Sequence, residues 1–303
     1  MNPKVSVNIL TWNQPVDTIE CIESCQKIDY DNYEILVIDN HSVDNSVELF
    51  RKRFPNMRII QNKDNFGYAG GNNVGIKFAL EYGAEYVLIL NNDTTVEPDF
   101  LKKMIEGVKE HPRTGMAAPK VLYYDDREVI NSLGTTIDWL RLRPFLGYCN
   151  QRNNGQFPNV LKKDILVGCA LLVSKETIER IGVIDEKFFI FHEEADWCFR
   201  SLKNGFENIV VPNAVIYHKA SKTMRKFSEL THYYSSRNFL YMAHRNASFG
   251  NLIKVYIGLC YLVLKHLVFL LSKDPANRKM AKAFFLGIWD FFTGKMGKCQ
   301  RTL

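Results

Sequence analysis

The sequence predicts an α/β fold built on a parallel sheet with helices on both faces. Short, β-branched apolar runs alternate with amphipathic stretches through the first half of the chain. Polar motifs rich in Asn, Asp and Thr fall at the carboxyl ends of those runs, where ligands bind in open sheets of this kind. A chain of 303 residues, 46% of them hydrophobic, is also large enough for one sizeable core with an appendage.

Residues 5–10 form the first predicted strand, ending in Thr11-Trp12-Asn13, and 16–26 the first helix. A second strand over 34–39 ends in Asp39-Asn40-His41-Ser42, and a helix follows around 46–54. Residues 58–61 give a third strand, 71–82 a helix and 86–90 a fourth strand, which ends in Asn91-Asn92-Asp93. Residues 120–165 read as irregular, with turns at Gly134, Gly147 and Gly155. A buried strand is expected over 164–174, containing Gly168-Cys169-Ala170, and one or two short strands over 209–218.

The N-terminus has no secretory signal pattern. Seven scattered cysteines without a CxxC pair suggest reduced thiols and a cytoplasmic setting. The net charge of +6 is uneven: residues 219–303 hold fifteen Lys and Arg against three Asp and Glu, a net of +12, so the remainder carries −6. Such a split points to an anionic partner for the C-terminal part. There, residues 251–272 are mostly apolar and long enough to raise the question of a membrane span. Lys254 and Lys265, eleven positions apart, fall within about 20° of one another on a helix, on a stripe shared with Gly258 and Ser272. A wide apolar face with one basic stripe suits a helix lying in the membrane interface. Residues 280–292 add Phe284, Phe285, Trp289, Phe291 and Phe292 among basic side chains, which suits lipid headgroups. The alternative is a helical pair packed on the first domain or forming an oligomer. Nucleic acid is disfavoured, because these aromatic residues sit in apolar helices and no nucleic-acid module is recognisable.

Three motifs carry chemistry. Asp93 lies at the mouth of an apolar strand, where a carboxylate can join substrate phosphates around Mg²⁺ or Mn²⁺; a helix cap is the alternative. The segment Asn65-Phe66-Gly67-Tyr68-Ala69-Gly70-Gly71-Asn72-Asn73-Val74-Gly75 lets backbone approach a ligand and runs into a helix N-terminus, but matches neither a Walker loop nor GxGxxG. Glu193, Glu194 and Asp196 cluster between aromatic residues, as a tuned general base or as an acidic helix start. His218 ends an apolar run; alone it reads as structural.

In order and spacing, TWN, VIDNHSVDNS, NKDNFGYAGGNNVGI, VLILNNDTTVEPDFL, VGCALLVSKETIERIGVIDEKFFIFHEEADWCFR and the His of VIYHKAS resemble the family 2 glycosyltransferases of the GT-A fold, in their rhamnosyltransferase-like branch. The resemblance spans residues 4–245. It implies a Rossmann-like mixed sheet flanked by helices over 1–245, divided into a nucleotide-sugar-binding half (1–115) and an acceptor-binding half (116–245). Residues 246–303 would then form a basic, aromatic-rich helical appendage. It also implies that Thr11, Asn13, Asp39 and Asn40 hold the base and ribose, that Asn65, Gly67 and Asn72 line the nucleotide site, and that Asn91, Asn92 and Asp93 form the DxD-type motif. Asp93 would take a divalent metal, Mn²⁺ or Mg²⁺, with His218 completing the site. Glu194 stands where the family has its catalytic Asp, with Glu193 and Asp196 as rivals. Gly168, Trp197 and Arg200 would shape the acceptor side.

The implied reaction is inverting transfer of a sugar from dTDP-rhamnose or a UDP-hexose to a hydroxyl of a glycan or lipid-linked acceptor, on the cytoplasmic face of the membrane, in surface polysaccharide synthesis. Two rivals are a non-catalytic nucleotide-sugar or glycan-binding protein and a sugar-1-phosphate nucleotidyltransferase. The latter needs a Gly-rich, Arg-containing loop after the first strand, where this chain has Thr11-Trp12-Asn13-Gln14-Pro15.

Overall fold

A computed structural model describes residues 2–219 and 228–301. In chain order the elements begin β1 (Val5–Thr11), α1 (Pro15–Cys25), β2 (Tyr33–Asp39), α2 (Ser46–Arg53), β3 (Arg58–Gln61), α3 (Gly67–Glu81), β4 (Tyr86–Asn91), β5 (Thr94–Val96) and α4 (Phe100–Glu110). The middle of the chain supplies β6 (Thr114–Tyr123), β7 (Ile130–Ser132), β8 (Thr136–Asp138), β9 (Arg143–Phe145), β10 (Leu161–Lys162) and β11 (Ala170–Ser174). Then follow α5 (Lys175–Ile181), α6 (Glu193–Lys203), β12 (Glu207–His218), α7 (Ser228–Asn246), α8 (Phe249–Leu270) and α9 (Pro275–Phe292).

One large sheet runs in the order β10-β12-β6-β11-β4-β1-β2-β3, with β5 pairing to β12 and β7 to β6. β4, β1, β2 and β3 are parallel. β11 then enters antiparallel between β4 and β6, so the sheet is mixed, as the resemblance implied and not wholly parallel as the first half suggests. The chain reverses its strand order between β1 and β4, a switch point of the kind beyond whose carboxyl strand ends ligands bind in open sheets. Side-chain alternation divides the core into two layers. Val87, Ile89, Leu171 and Val173 face one side, and Leu88, Leu90, Ala170 and Leu172 the other. Helix α4 covers the second face with Leu101, Met104, Ile105 and Val108, a stripe of helical period, each burial contributing about 1.5–3 kcal/mol.

Several expected boundaries shift. Helix α3 starts at Gly67, four residues before the expected 71, so most of the Gly/Asn segment is helical. The strand expected over 164–174 begins only at Ala170, which leaves Gly168 and Cys169 in the loop ahead of it. Residues 209–218 lie in one strand, β12, whose register slips between Val211 and Val215. Helix α7 begins at Ser228, within the residues expected to close the first domain, and packs with both α6 and α9. Gly258 leaves the predicted basic stripe: it is buried where α8 rests on Leu140 and Leu142. All seven cysteines are free thiols.

Candidate active site

The β4–β5 turn and the end of β12 bring together residues far apart in sequence. β5 pairs antiparallel with β12 so that Thr94 lies opposite His218. This sets His218 Nε2 3.3 Å from Asp93 Oδ1, with each side chain 15% exposed. The His218 Nδ1 is buried without a hydrogen-bond partner among the described residues. Lys219, the next residue, anchors the strand end to α1 by donating to Asp17 at 2.6 Å and Glu20 at 2.5 Å. One carboxylate and one imidazole, with an imidazole nitrogen unused, fit a Mn²⁺ or Mg²⁺ that takes its other ligands from a diphosphate and water. No cluster of three or more His, Cys, Asp or Glu suited to a metal occurs among the described residues.

The two glutamates open α6, and Glu194 lies beside the loop that precedes β11. Asn91 N donates to Cys169 O at 2.9 Å, which ties the Asp93 turn to the loop before β11. A Cβ at Gly168 would lie 3.7 Å from Glu194 Cβ and 3.1 Å from the Tyr68 hydroxyl, so Gly168, Glu194 and Tyr68 meet there. Tyr68 donates to Gly168 O at 2.5 Å, joining the two halves of the site. Burial, with the charges of Glu193, Glu194 and Asp93 nearby, pushes the Tyr68 hydroxyl well up, so it remains a donor at neutral pH. Tyr68 carried no signal in the sequence beyond its place in the Gly/Asn segment.

Glu193 and Glu194 open α6, but their surroundings differ. Glu193 is buried, and its Oε2 finds no partner among the described residues. Burial, then the charge of Glu194, pushes the Glu193 carboxyl well above the usual range. Glu194 is half-buried, and burial raises it as well. The preceding His192 is held neutral, pushed by burial down to about 4.

Folding favours protonated Glu193, since its folded-state value lies above the unfolded one. That contribution is complete below pH ~4 and is lost as pH rises through the folded value. Glu193→Gln should therefore raise Tm at pH 8 and leave it nearly unchanged at pH 5. Calorimetry at the two pH values checks this, and equal shifts at both would refute it.

The third acid, Asp196, stands apart. It is fully buried, with one oxygen accepting from Arg200 Nε at 2.9 Å and the other from Arg245 Nε at 3.0 Å and Asn246 Nδ2 at 2.9 Å. It ties α6 to α7, and its role as rival base is withdrawn. Trp197 and Arg200, expected on the acceptor side, are engaged within the fold. Trp197 is wholly buried and donates to Gly182 O at 2.9 Å. Arg200 donates to Ile181 O and Val183 O.

The nucleotide-side residues line the ends of β1, β2 and α3. Asp39, at the end of β2, accepts from Ser42 N at 3.2 Å. Asn13, with φ +54°, accepts from Val43 N at 2.8 Å. Thr11 pairs with Thr18 at 2.7 Å, and Asn92 donates to Thr18 at 2.9 Å and to Gln14 at 3.2 Å. Asn40 is a hub: it accepts from Asn62 and Phe66 N and donates to Asn65 Oδ1 and Gly67 O. With its amide fully engaged, Asn40 shapes the 62–67 loop in place of the expected direct contact with a nucleotide. Asn65 Oδ1 in turn accepts from Gly67 N at 2.8 Å. Asn72 is buried, with Oδ1 unpartnered among the described residues.

The chain and its fold have known relatives. The model for glycosyl transferase family 2 matches residues 6–171, just over half of the chain. The chain belongs to that family and is a glycosyltransferase. It is 23% identical over 254 residues to a dTDP-rhamnosyl transferase, RfbF, of Shigella flexneri, covering 81% of this chain and 82% of that one. An N-acetylglucosaminyl-diphospho-decaprenol L-rhamnosyltransferase of Mycobacterium tuberculosis is 24% identical over 234 residues, 70% of this chain and 75% of that one. Among solved structures, a mannosyltransferase from Pyrobaculum calidifontis, in complex with GDP-Man and Mn²⁺, superposes with a TM-score of 0.61 at 15% identity, over 97% of this chain and 88% of that one. GalNAc-T7, with UDP, GalNAc and Mn²⁺, gives 0.61 at 14% identity over 80% of this chain and 48% of that one. The fold is therefore GT-A.

Proposed function

We propose that the protein is a metal-dependent, inverting glycosyltransferase using a nucleotide-sugar donor, dTDP-rhamnose first and a UDP-hexose second. The observation that carries this is the meeting of Asp93 and His218, with Glu194 beside the neighbouring loop of Gly168 and Cys169, where Cys169 lies within reach of the charges of both Asp93 and Glu194. Asp93 and His218 would hold Mn²⁺ or Mg²⁺, which supplies positive charge against the departing diphosphate. Glu194, half-exposed at the crevice, accepts the proton of the acceptor hydroxyl as that oxygen attacks the anomeric carbon and the nucleoside diphosphate leaves. Glu193, kept protonated, lines the same wall. The rhamnosyltransferases among the relatives and the Mn²⁺ in the neighbouring structures support this reading. A thermal-shift screen of dTDP-rhamnose and UDP-glucose tests it. At about 100 times Kd, a donor should add roughly 2.7 kcal/mol, a rise of about 5 °C, only when Mn²⁺ or Mg²⁺ is present. A donor that stabilises equally in EDTA would refute the metal.

We also propose that α8 lies on the cytoplasmic face of an anionic membrane, placing the enzyme beside a lipid-linked or growing surface glycan. It is the one helix among the described residues long and apolar enough to cross a membrane. Its inner face, Val255, Gly258, Leu259 and His266, is buried. Its outer face presents Ile253, Ile257, Tyr261, Leu264 and Val268 to solvent, with Lys254 and Lys265 exposed beside them. Deleting residues beyond 250 would also remove α9, which buttresses α7, so point substitutions are the cleaner test. Ile257→Asp with Leu264→Asp should abolish flotation with phosphatidylglycerol vesicles while Tm is kept. Undiminished flotation would refute the proposal, as would conversion of a dimer to a monomer without any vesicle binding by the parent chain.

A further inference from the structure

The segment leading into the two glutamates has an unusual backbone. Phe189, Phe191 and His192 all lie in the left-handed region, with φ of +65°, +70° and +70°. Bulky residues adopt that region rarely, so three within four positions require surrounding structure to hold them.

The holding groups are Arg237 and Asn238 on α7, both fully buried. Asn238 Nδ2 reaches Phe188 O at 2.8 Å, Ile190 O at 2.7 Å and Phe191 O at 3.0 Å. Arg237 Nε donates to Asn238 Oδ1 at 2.9 Å and so orients that amide. Its Nη2 donates to Phe188 O at 3.2 Å, and its Nη1 to the Tyr233 hydroxyl at 3.1 Å. Tyr233 passes the connection to α9 by donating to Asp290 at 2.9 Å. On the other side, Phe189 O accepts from Ala69 N at 3.2 Å and presses on Gly67, where no Cβ has room. Asn73 adds a second tie from α3, bonding the Ile184 backbone in both directions and Glu186. The segment is thus gripped between the donor-side helix α3 and the C-terminal helices.

We propose that Arg237 and Asn238 are positioning residues that fix segment 188–192, and through it the glutamate pair, against the start of α3. This makes the C-terminal helices part of the catalytic unit. A buried guanidinium is a costly way to fill a core, and its planar fork aimed at backbone carbonyls is suited to orienting them. The inference rests on the glutamates being the acid–base wall of the site.

The test uses the full chain with Mn²⁺, measuring release of nucleoside diphosphate from dTDP-rhamnose and, in parallel, UDP-glucose, beside hydrogen exchange. In Asn238→Ala, kcat should fall about tenfold or more while the donor KM stays within about threefold, the split expected when reacting groups are misplaced but binding is kept. Amides of 188–195 should lose protection while β1 and β4 keep theirs. Tyr233→Phe, which retains the ring and the fold, should show the same pattern more weakly, and stands in if Asn238→Ala does not fold. Wild-type kcat per folded molecule, or unchanged exchange over 188–195, would overturn the proposal. Failure of the glutamate reading shows separately, as full activity in Glu194→Gln.

Discussion

Glu194→Gln is expected to lower transfer by about 10²–10⁴-fold, the usual contribution of a positioned general base, with donor affinity nearly unchanged. The exchange keeps the side chain's size and removes its ability to take a proton. Of the two glutamates, Glu193 is the more enclosed, and the charge of Glu194 adds to the cost of ionising it. Glu194, the less enclosed of the two and beside Gly168, is the one expected to give up its proton and meet an acceptor. Because burial raises Glu194 too, the rising limb of the rate–pH profile should lie above the usual carboxylate range. Below that limb the base is protonated and transfer stops; above it the base is free. Glu193→Gln mimics the protonated side chain and should retain most of the rate. Full activity in Glu194→Gln, with loss in Glu193→Gln, would exchange the two roles.

The parts of this site that were legible in the sequence are those written in local pattern. β1, β2 and β4 agree with the expected strands within a residue or so because each is a short apolar run closed by a polar motif. The start of α3 differs from the expected 71 because Gly67 and Gly70 suggest loop by propensity. They are helical because close packing overrides propensity: a side chain at Gly67 would collide with Phe189, and one at Gly70 with Phe66. The acidic cluster misled by adjacency. Asp196 is two residues after Glu194, about 200° around a helix, so it faces α7 and not the crevice. Contacts set by pairing of distant strands left no local trace, which is why His218 alone read as structural and gained its partner only through the family resemblance. The same holds for Tyr68, Arg237 and Asn238, whose partners lie far along the chain.

Asp93→Ala should abolish transfer, by about 10³-fold or more if the metal contributes several kcal/mol, and should do so through loss of coupling between metal and nucleotide. Asp93 is the only carboxylate of the Asn91-Asn92-Asp93 turn. Among the described residues His218 stands 3.3 Å from it, and a bound metal would take further ligands from the donor's diphosphate. Mn²⁺ alone should then bind weakly, UDP or dTDP alone weakly, and the two together strongly. In thermal-shift titrations the parent chain should show a stabilisation by Mn²⁺ plus nucleotide well beyond the sum of the separate effects. Asp93→Ala should reduce it to that sum, and His218→Ala should reduce it in part, since removing the imidazole leaves the carboxylate in place. The folded state should survive both changes: neither side chain is in the apolar core, and the β5–β12 pairing that aligns them is made by backbone. An Asp93→Ala chain that keeps the full combined effect of Mn²⁺ and nucleotide would place the metal elsewhere. Loss in Asp93→Ala with none in His218→Ala would instead leave His218 as a group that orients the carboxylate from 3.3 Å away without binding the ion.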